Sequence, residues 1–229
     1  MKNTCLSTSL KRKSVIEIIA CYFMCIFFSS LFRNLGRLFQ TDDLWFGIMT
    51  YFFIASTILF YVVRIEKKPL CSIGLKRISI REILFGILMG MIMFMVQQIP
   101  LLLMGMDYKI LAVPPDLGHI IVMSVYCIFC VGFTEELMMR GFILNKSIEI
   151  TKSKIILIVL NSIIFYSIHW PPIRFVFGEA FNITLNTTIL CGFLFFSKKK
   201  SISPLIIAHG TYDILSAYLL PAFMYMLIS

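Results

Sequence analysis

The sequence predicts an all-α, polytopic transmembrane helix bundle of about seven spans with its N-terminus in the cytoplasm. Three observations carry this. Apolar residues make up 59% of the 229 residues and only 14% are charged, with a mean hydropathy of +0.90. A water-soluble domain of this length is nearer half apolar and could not hide so much apolar surface. Second, the apolar residues fall in runs long enough to cross the hydrocarbon, which takes about 20 helical residues. Third, the basic residues sit between those runs with a one-sided bias.

Taken in order, the runs are Val15–Phe32, Leu44–Val63, Ile83–Met104, His119–Leu144, Ile155–His169, Phe177–Phe196 and Pro204–Ile228. The fifth is short and polar residues interrupt the sixth, so six or eight spans would also fit. With the N-terminus inside, the cytoplasmic segments hold Lys2, Lys11, Arg12, Lys13, Arg64, Lys67, Lys68, Lys76, Arg77, Arg81, Lys146, Lys152, Lys154, Lys198, Lys199 and Lys200, sixteen in all. The outer segments hold four: Arg33, Arg37, Lys109 and Arg174. That asymmetry fits seven spans with the C-terminus outside.

The net charge of +9 therefore reads as topology signal and contact with anionic lipid rather than a nucleic-acid surface, which would interleave aromatic and basic residues. The seven cysteines, mostly within apolar runs, suggest no secreted disulfide scaffold. Cys127 and Cys130 form a CxxC inside a span and read as packing residues. The first run is long for a signal peptide and lacks a small-x-small cleavage site, so it reads as an uncleaved anchor. Pro69–Glu82 is the longest cytoplasmic loop. Residues 1–229 read as a single integral membrane domain without repeats.

Charge inside hydrocarbon costs several kcal/mol, so ionisable residues there point to function. Three groups stand out. In Glu135-Glu136-Leu137-Met138-Met139-Arg140, Glu136 and Arg140 are four apart and can pair, whereas Glu135 lies about 100° round the helix and is left for chemistry. The second group is Phe165-Tyr166-Ser167-Ile168-His169, where Asn161, Phe165 and His169 share a stripe and Trp170-Pro171-Pro172 ends the helix. The third is His209-Gly210-Thr211-Tyr212-Asp213, with His209 and Asp213 on one face. Each has a plainer reading: a charged helix end, an interfacial histidine, a buried structural His–Asp bond. Glu179, Asn182 and Asn186 form a polar stripe that reads as a helix seam.

Together the three segments resemble the CPBP family of intramembrane proteases (CAAX protease and bacteriocin-processing, also called Abi). Its pattern is EExxxR, then FxxxH, then HxxxN or HxxxD on successive helices, matched here by Glu135/Glu136/Arg140, Phe165/His169 and His209/Asp213 in that order. Met139-Arg140-Gly141, Phe195-Phe196, Ser203-Pro204 and Ala208-His209 add context. The motifs run from about Val131 to Leu215, and the family-like catalytic core takes in about 119–220. The resemblance implies peptide-bond hydrolysis in the membrane. Glu135 with His169 would activate a water, and His209 with Asp213 would stabilise the oxyanion. Glu136–Arg140 would support the helix, and Phe165 would shape the pocket.

These residue types suit that chemistry. A carboxylate taken out of water is a suitable base, and a tetrahedral oxyanion needs preorganised donors. Asp213 is open between three roles, since an ionised Asp cannot donate: a protonated donor, a partner orienting His209, or a metal ligand. Two carboxylates and two histidines could bind zinc, but HExxH is absent, so a zinc site and a metal-free glutamate site are both expected possibilities. The implied partners are a peptide or protein substrate in the membrane and the lipid bilayer, with no nucleic acid. Short loops point to a bacterial plasma membrane, and the family resemblance then implies CAAX-type cleavage or processing of a peptide precursor or bacteriocin rather than of a prenylated tail. The alternative is a non-enzymatic bacteriocin self-immunity or partner-binding protein. A small-solute or proton transporter is a third reading, which no half-to-half repeat supports.

Overall fold

The computed structural model describes residues 2–40, 43–103, 112–169 and 177–228, and among these it is all-α, without a strand. Seven helical stretches follow one another: α1 (Lys2–Phe39), α2 (Asp43–Phe60, continued by a π-helical turn at Tyr61–Ile65), α3 (Ile80–Leu103), α4 (Leu117–Ile150), α5 (Lys154–His169), α6 (Phe177–Phe196) and α7 (residues 203–228). Each of the seven apolar runs falls on one of them. Met104, the expected end of the third run, and Trp170-Pro171-Pro172 lie outside the described residues, as do Lys109, Arg174 and the side chain of Glu179.

Among the described residues, four helices are long and apolar enough to cross a membrane: Thr8–Phe39, Leu44–Ile65, Ile80–Pro100 and Leu117–Ile150. Lys154–His169 and Ala180–Phe196 are shorter apolar helices. Large apolar side chains point outward, among them Phe23 at 62%, Phe52 at 64% and Phe129 at 69% exposure. Such a surface would aggregate in water and suits a lipid solvent.

The helix starts follow from local chemistry. Ser79 and Glu82 form a reciprocal cap at α3: Ser79 N–H and Oγ–H both donate to the Glu82 carboxylate at 2.9 Å, and Glu82 N–H donates back to Ser79 Oγ at 3.3 Å. Asp116 caps α4 by accepting from His119 N–H at 3.1 Å. Within α4, two π-helical stretches, Cys127–Gly132 and Leu137–Ile143, stand on either side of Phe133–Glu136. Such insertions recur at functional sites.

The chain forms two compact units. The second, Lys76–Glu136 with Ser203–Ser229, packs α7 against α3 and the first part of α4. Small residues let these backbones approach. A Cβ on Gly90 would lie 2.5 Å from the Ala208 carbonyl oxygen, and one on Gly210 would lie 2.8 Å from Ile128 Cα. Both residues flanking His209 are therefore held by backbone-close packing. Tyr212 Oη–H donates to Gln97 Oε1 at 2.6 Å and adds a polar tie between α7 and α3.

The first unit, Met1–Leu75 with Leu137–Ile202, contains α1, α2, the rest of α4, α5 and α6. Its ionic centre is Lys146, expected in a cytoplasmic loop but found 4% exposed within α4. Lys146 Nζ donates to Glu66 Oε1 at 2.5 Å and meets Glu17 Oε2 at 2.7 Å. Tyr61 Oη–H donates to Glu17 Oε1 at 2.5 Å, and Lys68 reaches Glu66 at 3.1 Å. Ser14 hydrogen-bonds Glu149 one turn along the same interface. The loop reading failed here because two acids from other segments compensate the ammonium. Burial pushes the Glu66 carboxyl up, but the hydrogen bonds and charges of Lys146 and Lys68 prevail and hold it below the usual range.

Two predictions follow from this packing. Gly90→Val should destabilise the protein by at least about 1–3 kcal/mol through overpacking, read as a lower thermal midpoint in detergent. Lys146→Met should cost about 3–5 kcal/mol by leaving two buried carboxylates uncompensated. Because the Glu66 carboxyl is depressed in the fold, its contribution is present above its unfolded value and lost as pH falls through its folded one. Wild-type stability should therefore drop on the acid side of the ordinary glutamate range, and Lys146→Met should flatten that drop in a pH series of melts.

Candidate active site

In the second unit, Glu135 and Glu136 stand on α4 between the two π-helical stretches, and His209 and Asp213 stand one turn apart on α7. Glu135, Glu136 and His209 are buried, with Glu136 at 0% exposure. His209 Nδ1 lies 2.8 Å from Glu136 Oε1. Its other ring nitrogen, Nε2, lies 3.6 Å from both Glu135 Oε2 and Asp213 Oδ2. Consecutive glutamates point about 100° apart, yet both address this one imidazole because its two nitrogens face different directions.

A carboxylate only accepts, so the Nδ1 contact requires an Nδ1–H donating to Glu136. The imidazole plane is thereby fixed, and Nε2 is aimed at the two remaining carboxylates. As an imidazolium, His209 can also donate from Nε2. Sequence spacing brought His209 to Asp213 and assigned Glu136 to Arg140. The contact from Glu136 to His209 was not visible in it, because 73 residues separate the two.

In the first unit, Arg140, Phe165 and His169 form a second group. Arg140 is 1% exposed. Its Nη2 donates to Thr187 Oγ1 at 3.3 Å, and its guanidinium carbon lies 5.3 Å from the Phe165 ring centre. That ring in turn meets His169 edge-on at 4.5 Å. His169 Nδ1 is 2.8 Å from the Phe165 carbonyl oxygen one turn back. A carbonyl only accepts, so Nδ1 carries the proton and, in the neutral ring, Nε2 carries the lone pair. Thr187 is fully buried on α6 and was not singled out from the sequence; only its place next to Asn186 of the polar stripe hinted at it. Asn161, on the same stripe as Phe165, is also fully buried.

Among the described residues, no three His, Cys, Asp or Glu side chains are placed to hold a metal ion, and one ring nitrogen of His209 is committed to Glu136.

The fold and these side chains define a class: an all-α membrane protein with histidines and carboxylates within its apolar helices. Residues 117–215 match the family model described as Rce1-like, type II CAAX prenyl endopeptidase. This segment thus carries the CPBP, or CAAX protease, family domain, a family of intramembrane endopeptidases. It includes all seven motif residues, from Glu135 to Asp213. No curated protein and no solved structure matches the chain.

The Glu136–His209 contact can be tested directly. Glu136→Ala should lower stability by about 1–3 kcal/mol, since it leaves a buried donor without its acceptor. Glu136→Gln keeps an acceptor and should lose less. Thermal unfolding of both variants in detergent reads the difference.

Proposed function

We propose that this chain is an intramembrane endopeptidase that cleaves a peptide bond of a membrane-embedded peptide or protein, with water activated by Glu135. The observation that supports this best is the imidazole of His209, held by Glu136 and facing Glu135 and Asp213, inside the segment matching the endopeptidase family. In this reading the Glu135 carboxylate takes a proton from water as its oxygen bonds to the scissile carbonyl carbon. The carbonyl becomes an oxyanion, stabilised by the Nε2–H of an imidazolium His209. The C–N bond then breaks, and Glu135 returns the proton to the leaving amine.

His169, with Nε2 as its basic nitrogen, is proposed as the second water-activating group on the motif pattern. Arg140 and Phe165 are proposed as positioning residues. We further propose about seven spans with a cytoplasmic N-terminus, in a bacterial plasma membrane, with a peptide precursor or bacteriocin as substrate. Short loops, the basic bias and the family support this.

The test is cleavage of a fluorogenic peptide panel by purified protein in detergent. Glu135→Gln should lower cleavage by about 10²-fold or more, the usual share of a general base, while the protein still inserts and melts as wild type does. Full activity in that variant would sink the assignment. Loss of wild-type cleavage with chelator, restored by zinc, would replace the metal-free route with a zinc-dependent one. Protection of cells from a bacteriocin that persists in Glu135→Gln would favour the immunity role instead.

A further inference from the structure

A polar side chain inside an apolar bundle costs free energy unless it is hydrogen-bonded, so nearly every one is. Helix hydroxyls of the first unit meet this demand by turning back on their own helix. Thr50, Thr57, Ser147 and Thr188 each donate to the carbonyl four residues earlier, at 2.8, 2.7, 2.9 and 2.7 Å. Asn145 does the same through its amide nitrogen, which donates to the Gly141 carbonyl at 2.6 Å.

Two consecutive residues of α5 depart from this pattern. Asn161 is 0% exposed and Ser162 6%, inside a helix that packs against α1, α6 and the last part of α4. Among the described residues, neither Nδ2 nor Oδ1 of Asn161 has a hydrogen-bond partner, and neither does Oγ of Ser162. Three buried polar atoms on adjacent residues thus call for a ligand from outside the chain. Zero exposure at Asn161 restricts that ligand to a very small one. The amide offers donors on one side and an acceptor on the other. A cation would satisfy only the oxygens, and the Arg140 guanidinium stands over Phe165, one turn from Asn161, and repels it. An anion would leave Oδ1 unsatisfied. Water both donates and accepts, and buried waters typically make about three hydrogen bonds to such groups.

We propose that Asn161 and Ser162 form a buried water-binding site in the first unit. Ordered water there supplies the acceptor that the Asn161 N–H groups lack and the donor that Oδ1 and the Ser162 Oγ lack. The site lies about two turns from His169 on the stripe they share with Phe165. Water is thereby held inside the same unit as that histidine. The inference goes beyond the endopeptidase reading and does not require it, so its test needs no substrate.

The experiment is X-ray hydroxyl-radical labelling of the full chain in detergent, read by mass spectrometry. Radicals born at a bound water label the side chains beside it, even where these are shielded from solvent. Leu157 and Phe165, one turn either side of Asn161, are 2% and 5% exposed, so label on them reports internal water. After rapid mixing into heavy-oxygen water, their label should stay light at first, while that on Ile80, 76% exposed, turns heavy at once. Asn161→Leu should lose the label at Leu157 and Phe165 and keep it at Ile80. Ser162→Ala removes one partner and should speed the change to heavy label. No label at Leu157 and Phe165 in the wild type overturns the inference. So does label that turns heavy at once, since this reports opening to solvent, and so does label that survives in a folded Asn161→Leu, since the water is then held elsewhere.

Discussion

An ionisable group in an apolar helix must find a partner, because hydrocarbon offers no water to replace one. The contact between His209 and Glu136 meets that demand at 2.8 Å in a fully buried setting. It does more than satisfy a donor. By fixing which nitrogen faces Glu136, it decides that the other faces Glu135 and Asp213. The contacts of all three carboxylates with the imidazole depend on this one orientation, and it can hold only while α7 keeps its distance from α4.

Backbone packing sets that distance. Gly210 lies against Ile128 and Gly132 against the Ile206 carbonyl, so side chains at these points would push the helices apart. Gly90 of α3 closes on the Ala208 carbonyl from another side. Without a hydrophobic driving force between helices in lipid, such close contacts are what fixes helix position. The π-helical stretches at Cys127–Gly132 and Leu137–Ile143 locally change which residues stack. Glu135 and Glu136 sit on the four α-helical residues between them.

The first unit solves the same electrostatic problem differently. There Lys146 is shared between Glu17 and Glu66, with Tyr61 donating to Glu17. Two acids around one base make each pairing less dependent on a single geometry. The cluster joins α1, the end of α2 and the last turns of α4, the helix that also carries Glu135 and Glu136. Arg140 obtains its ties through Thr187 and the face of Phe165, so a guanidinium is accommodated by a hydroxyl and an aromatic ring as well as by charge.

Much of this was legible in the sequence. Composition and run length determine that the chain is helical and suited to lipid, because backbone polar groups in hydrocarbon must be satisfied within the helix itself. Spacing of four determines that His209 meets Asp213 and that Phe165 meets His169, because these contacts lie within one helical turn. The ordered motifs determine the family of residues 117–215. Tertiary structure alone decided that Glu136 holds His209, that Lys146 is a buried partner of Glu17 and Glu66 rather than a loop charge, and that Thr187 meets Arg140. Each of these contacts joins residues 47 or more apart in the chain. Helical periodicity says which face a side chain occupies, but not which other helix that face will meet, and that is where these contacts are decided.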